Sequence, residues 1–157
     1  MLVEVKIGAL IMDPNTNTPI VVLKGVESEV ILPIWVGAFE ANAIALEIEK
    51  VAPQRPLTHD LLRNIIIECG YLASKVVITD LLENTFYAIL ELTDNAGKIL
   101  SLDARPSDAI ALALRLDCPI YVKQQVLQLS SVSQQTDQST DFDQTVQPVE
   151  DWPDFIG

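Results

Sequence analysis

Among its 157 residues the chain has one histidine, two cysteines and six glycines, and its 10 Lys and Arg are outnumbered by 22 Asp and Glu. Each shortage excludes something. A net charge of −12 argues against a general nucleic-acid binder, whose affinity comes largely from Lys and Arg on phosphates. Cys69 and Cys118 show neither a CxxC motif nor the spacing of a zinc site, and their apolar neighbours mark them as buried free thiols. There is no Gly-rich phosphate loop, no GxSxG and no HExxH. No apolar run approaches the roughly 18 residues of a membrane span. Met1-Leu2-Val3-Glu4-Val5-Lys6 lacks the basic region and apolar core of a signal peptide. The expectation is a cytoplasmic protein without a membrane segment.

The composition is otherwise that of a folding chain. Hydrophobic residues make up 49% of it, and the length suffices for one domain with a real core. Two domains of behaviour are expected: a body over residues 1–131 and an acidic, disordered tail over 132–157. Within 132–157 lie Asp137, Asp141, Asp143, Glu150, Asp151 and Asp154 and no Lys or Arg, so this short stretch carries half of the net charge. Ser133-Gln134-Gln135-Thr136-Asp137-Gln138-Ser139-Thr140 has too little apolar surface to offset its ordering entropy. Trp152 and Phe155 among acids could form a short docking motif, although an unstructured end accounts for them as well.

In the body, Val3, Val5, Ile7 and Ala9 alternate with Glu4, Lys6 and Gly8, which predicts a half-buried strand. Further strands are expected at 20–24 and 29–36, the latter on an edge or at a bulge because of Pro33. Ala41, Ile44, Ile48 and Val51 fall at helical spacing; so do Leu61, Leu62, Ile65, Ile66 and Cys69, closed by Gly70. Residues 75–79 and 85–93 form a hairpin about Glu83-Asn84, and 98–102 a further strand. Ala109 to Leu116 is apolar on nearly every side and should be buried, before a short strand at 119–122. The order is βββαα then βββαβ. It predicts an α+β fold of two βββα-type halves, with antiparallel or mixed sheets packed against helices.

Chemistry is expected at two Arg-Pro sequences, Arg55-Pro56-Leu57-Thr58-His59-Asp60 and Asp103-Ala104-Arg105-Pro106-Ser107-Asp108. Proline biases its predecessor away from helix and fits the first helical position; Thr58, Ser107 and Asp108 are good capping types. A helix start presents unpaired N–H groups and the positive end of its dipole, so with a guanidinium each becomes a candidate phosphate cradle. His59 could transfer protons, or it could cap its helix. Arg55 and Arg105 could grip phosphate oxygens, or each could pair with a carboxylate and lock a turn. Glu40, Asp103 and Asp108 are the carboxylates that could hold Mg²⁺ or Mn²⁺, although Asp108 also suits the start of its own helix, with Arg115 near the other end. Trp35 and Phe39 could stack on a base; core or interface packing is the commoner use.

Several of these stretches together resemble a known family. Leu32-Pro33-Ile34-Trp35-Val36-Gly37, Glu40-Ala41, Arg55-Pro56-Leu57-Thr58-His59-Asp60-Leu61, Thr85-Phe86-Tyr87-Ala88, Asp103-Ala104-Arg105-Pro106-Ser107-Asp108-Ala109-Ile110-Ala111 and Pro119-Ile120-Tyr121-Val122 look like the bifunctional nuclease domain, across the first 125 to 130 residues. The resemblance implies an α+β domain, a homo-oligomer of two or more copies, and hydrolysis of RNA and DNA. The resemblance itself assigns no residue roles; on the reading of a phosphodiesterase-type nuclease, the matched polar positions are expected to act with Arg55, His59, Asp60 and Arg105 as catalytic groups, Thr58 and Ser107 on substrate, and Glu40, Asp103 and Asp108 on a metal. The rival expectation is a non-catalytic binding or assembly module in which the same residues lock turns; a binder of a small anionic metabolite is a third.

Overall fold

The computed structural model describes the backbone of residues 1–136 and the side chains through Ser133. Most of the proposed tail, with Trp152 and Phe155, lies outside the described residues. Among the described residues, seven strands form one mixed sheet with four helices packed on it: an α+β fold. The first half is the antiparallel meander β1 (Leu2–Asp13), β2 (Thr18–Gly25) and β3 (Ile31–Trp35), followed by α1 (Ala38–Ile48) and α2 (Thr58–Glu68). The second is the antiparallel meander β4 (Tyr71–Leu82), β5 (Thr85–Asp94) and β6 (Ile99–Ala104), followed by α3 (Pro106–Leu116). The two expected halves are therefore present, but they share a single sheet. Strand β7 (Ile120–Lys123) lies between them, antiparallel to β1 and parallel to β4, giving the order β3-β2-β1-β7-β4-β5-β6.

Local chemistry explains most boundaries. Asn17, in the left-handed region, closes the first hairpin, and the Asp13 carboxylate accepts the Asn15 N–H at 2.9 Å. Glu83 and Asn84 both take positive φ (50° and 62°), the pair of left-handed residues that a two-residue hairpin needs to match strand twist. Gly70, at φ 84°, ends α2 as expected. Pro33 does sit on an edge strand, where its missing N–H breaks no inner ladder.

One core joins the layers. Val21 and Leu23 of β2, Leu32 and Ile34 of β3, and Val76 and Ile78 of β4 pack with Ile44 of α1 and Ile110 of α3. Val76, Val77 and Ile78 are buried in succession. Since successive strand residues face opposite sides, the sheet is covered on both faces at its centre. α3, buried along most of its length as expected, packs on β4, β5 and α1.

Four expectations need correction. Helix α1 stops at Ile48, so Val51 is not part of its stripe. No residue of α2 is buried: it packs on α3 and β4, but Leu61, Leu62 and Ile65 are exposed. Residues 124–136, expected to run from body into tail, form α4 (Gln124–Thr136), which inserts Val126 into the core. Cys69 is exposed; only Cys118 is partly buried, and burial with the nearby Asp117 charge pushes its thiol up to about 11. Among the described residues no helix is long and apolar enough to cross a membrane.

Candidate functional site

Three helices begin close together, and each carries an acid three residues past its N-cap: Glu40 after Gly37, Asp60 after Leu57, Asp108 after Arg105. A carboxylate in the first turn faces the positive end of the helix dipole. The two Arg-Pro sequences differ in how they enter their helices. Pro106 takes the first helical position of α3, with Arg105 as N-cap. In the other copy the N-cap is Leu57, so Pro56 lies outside the helix and Thr58 is its first residue rather than its cap.

Both oxygens of Asp60 are engaged within the fold. Its Oδ2 accepts the Leu57 N–H at 2.9 Å, and its Oδ1 accepts from Arg115 Nε at 2.8 Å. Arg115 is almost fully buried, its side chain 3% exposed. It donates also to the carbonyls of Ala111 (3.0 Å) and Ala43 (2.9 Å), so one guanidinium ties α1, α2 and α3 together. Burial raises the Asp60 pKa, but the Leu57 N–H and the Arg115 guanidinium outweigh it and hold the carboxyl below its ordinary value.

The other two acids join a second chain of contacts. Arg105 Nη2 donates to Glu40 Oε1 at 2.7 Å, and its Nε donates to Asp108 Oδ2 at 2.9 Å. Asp108 and then Glu40 raise the Arg105 pKa further. The other Asp108 oxygen lies 2.9 Å from His59 Nε2. An ionised carboxylate only accepts, so Nε2 is the donor, and in the neutral ring Nδ1 is the lone-pair nitrogen. The series Glu40–Arg105–Asp108–His59 thus links the starts of α1, α3 and α2. Arg105 remains 69% exposed at its side chain, against 12% for His59. With neutral His59, two carboxylates around one guanidinium leave a charge of −1.

Gly37 makes this arrangement possible. A Cβ there would fall 2.2 Å from Glu40 Oε2, so the Glu40 side chain folds back over a residue that offers it no obstruction.

The structure therefore brings together four expected residues, Glu40, His59, Arg105 and Asp108. Asp60 lies one residue from His59 but is engaged with Arg115. Ser107 is buried at the second position of α3, and Thr58 is exposed at the start of α2. Asp103 stands apart, exposed near the end of β6 opposite Ile89. Arg55 is exposed, and no hydrogen bond or ion pair ties it to the other described residues. Among the described residues no three His, Cys, Asp or Glu side chains are grouped to hold a metal ion. A cation shared by Glu40 and Asp108 would have to displace or adjoin Arg105. Trp35 and Phe39 are exposed rather than core, and Trp35 Nε1 donates to Asp13 Oδ2 at 3.1 Å. Arg115 is the important residue that sequence reasoning placed only at the end of its helix, without a partner; its signal was being the only charge inside the run from Ala109 to Leu116.

Comparison with known proteins gives a consistent result. The profile of the bifunctional nuclease domain matches residues 21–135. An uncharacterized protein of Mycobacterium tuberculosis is 44% identical over 124 residues, spanning 79% of this chain and 73% of that protein. Bifunctional nuclease 1 of Arabidopsis thaliana is 31% identical over 107 residues, 66% of this chain and 33% of the plant protein. Bifunctional nuclease 1 of Oryza sativa subsp. japonica is 29% identical over 101 residues, 63% of this chain and 30% of its own length.

Proposed function

Since the chain belongs to the bifunctional nuclease domain family, we propose that it hydrolyses phosphodiester bonds of RNA and DNA, at the cluster of Glu40, His59, Arg105 and Asp108. The plant relatives are named nucleases, and the chain matches about a third of their length. The observation that carries the proposal is the contact of Asp108 with both His59 and Arg105. Asp108 fixes the imidazole with Nδ1 as the basic nitrogen, so His59 takes the proton of an attacking water. Arg105, exposed on its outer side, binds a non-bridging phosphate oxygen and offsets the charge that develops there. The cluster's own charge of −1 opposes an incoming phosphate. Mg²⁺ or Mn²⁺ on the free lone pairs of Glu40 and Asp108 would reverse that sign and supply Lewis-acid chemistry. Arg55 and Thr58, exposed just before and at the start of α2, contact flanking phosphates. Ser107, Asp60 and Asp103 have supporting roles or none. We place the protein in the cytoplasm as a homo-oligomer, with the exposed Leu61 and Ile65 face of α2 as its contact.

The test is cleavage of single-stranded RNA and DNA by pure protein with Mg²⁺, Mn²⁺ or EDTA, beside Arg105→Ala and His59→Ala. Metal-dependent cleavage lost in both folded variants supports the proposal. Cleavage that persists equally in the variants rejects this site. A second reading is favoured by one observation: Arg105 is held by two carboxylates, as a turn lock would be. On that reading the protein is an assembly module, and no condition yields cleavage.

A further inference from the structure

On the other side of the first turn of α2 lies an open cleft of about 460 Å³. It runs from the end of α1 along the 49–57 segment to α2, and the Asp60–Arg115 pair lies in its wall. Its volume is within the range of roughly 300–1,000 Å³ typical of small-molecule sites. Two features set it apart from the rest of this acidic surface. First, Lys50 and Arg63 line it with only Glu47 to oppose them, because Asp60 and Arg115 neutralise each other. The local balance is +1 in a chain of −12. Lys50 has no side-chain hydrogen bond or ion pair among the described residues. Arg63 is anchored through Nε to the Arg115 carbonyl (3.2 Å) and through Nη1 to Asn64 Oδ1 (3.1 Å), bonds that leave Nη2 uncommitted. Second, Val51, Pro53 and Pro56 form an exposed apolar wall beside these cations. Proline rings are rigid, so this wall holds its shape without a large ordering cost.

We infer that this cleft binds the phosphate and base of a mononucleotide, with the phosphate between Lys50 and Arg63 and the base against Val51, Pro53 and Pro56. A guanidinium and an ammonium match a phosphate's charge, and a flat ring matches an apolar wall that has no hydrogen-bonding demands. The inference goes beyond the proposed hydrolysis and does not require it, since the cleft uses neither His59 nor Arg105. The ligand could be a free mononucleotide or the phosphorylated end of a strand; both present the same chemistry.

The experiment is titration calorimetry of the full chain with AMP, adenosine, inorganic phosphate, and a pentanucleotide with and without a 5′-phosphate. Wild-type protein should bind AMP, with adenosine and phosphate each at least tenfold weaker. Lys50→Glu should weaken AMP binding at least tenfold while moving the melting temperature by no more than a few degrees, because the Lys50 side chain makes no hydrogen bond or ion pair among the described residues. Arg63→Lys, which keeps the charge, should retain part of the binding, and His59→Ala should bind AMP as wild type does. Binding of the phosphorylated pentanucleotide as well identifies a strand end, and binding of AMP alone a free nucleotide; either supports the inference. No binding of AMP at millimolar concentration, equal binding by Lys50→Glu, or equal affinity for adenosine overturns it. Loss of AMP binding in His59→Ala would also overturn it, by moving the ligand to the cluster. None of these readouts involves cleavage, so a protein without nuclease activity can still pass.

Discussion

Replacing Arg115 by methionine removes the charge that joins three helices while keeping most of the apolar stem. The lost interactions are the Asp60 ion pair and two bonds to carbonyls of α1 and α3. Breaking a buried pair by deleting one partner costs about 3–5 kcal/mol. Asp60 is 23% exposed at its side chain and can regain water, so the lower end applies. The carbonyls also have helical N–H partners and add little. The expected loss is about 3 kcal/mol, a fall in melting temperature of about 6–12 °C for a chain of this size. Urea denaturation followed by far-ultraviolet circular dichroism measures it. Asp60→Asn and the double variant complete a cycle, in which the two changes should fall well short of additive. A loss below about 1 kcal/mol for Arg115→Met, or strict additivity, would refute the role given to this guanidinium.

Other outcomes follow from the same geometry. Arg105→Ala should cost under about 1 kcal/mol of stability in the same urea assay, because its ion pairs are exposed, yet abolish cleavage of labelled RNA. Gly37→Ala should leave the fold intact but push Glu40 away from Arg105; cleavage should then fall while the melting temperature moves by only a few degrees. Asp60 has a folded pKa below its ordinary 3.8, so the stability it contributes is present above that value and is lost as pH falls through the folded pKa. The melting-temperature gap between wild type and Asp60→Asn should therefore be constant from pH 7 to 5 and close below about pH 4.

Much of this could be read in the sequence because local chemistry decided it. The alternation from Val3 to Ala9, the Glu83-Asn84 turn and Gly70 each state a backbone requirement within a few residues. What escaped was set by distant partners. The His59–Asp108 and Asp60–Arg115 contacts join residues 49 and 55 positions apart, and nothing local pairs them. The stripe of α2 correctly marked an apolar face, but periodicity says nothing of what covers it. α4 was hidden by its own composition: a Gln- and Ser-rich segment without charge looks like a linker, although Val126, fully buried, and Leu127, packed against the core, dock its first turn.

The central position of β7 has a consequence for how the protein is made. The strand that joins the two meanders is the last of the seven to be synthesised. Until residue 123 is available, β1 and β4 each present an unpaired edge that another chain could occupy. Its pairing with β1, where Leu2 meets Lys123, also spans nearly the whole described chain, the kind of contact that slows folding. The meanders can form early from their local hairpins, whereas the sheet becomes continuous only at the end. A nascent chain stalled before Ile120 is thus two half-sheets exposed to aggregation.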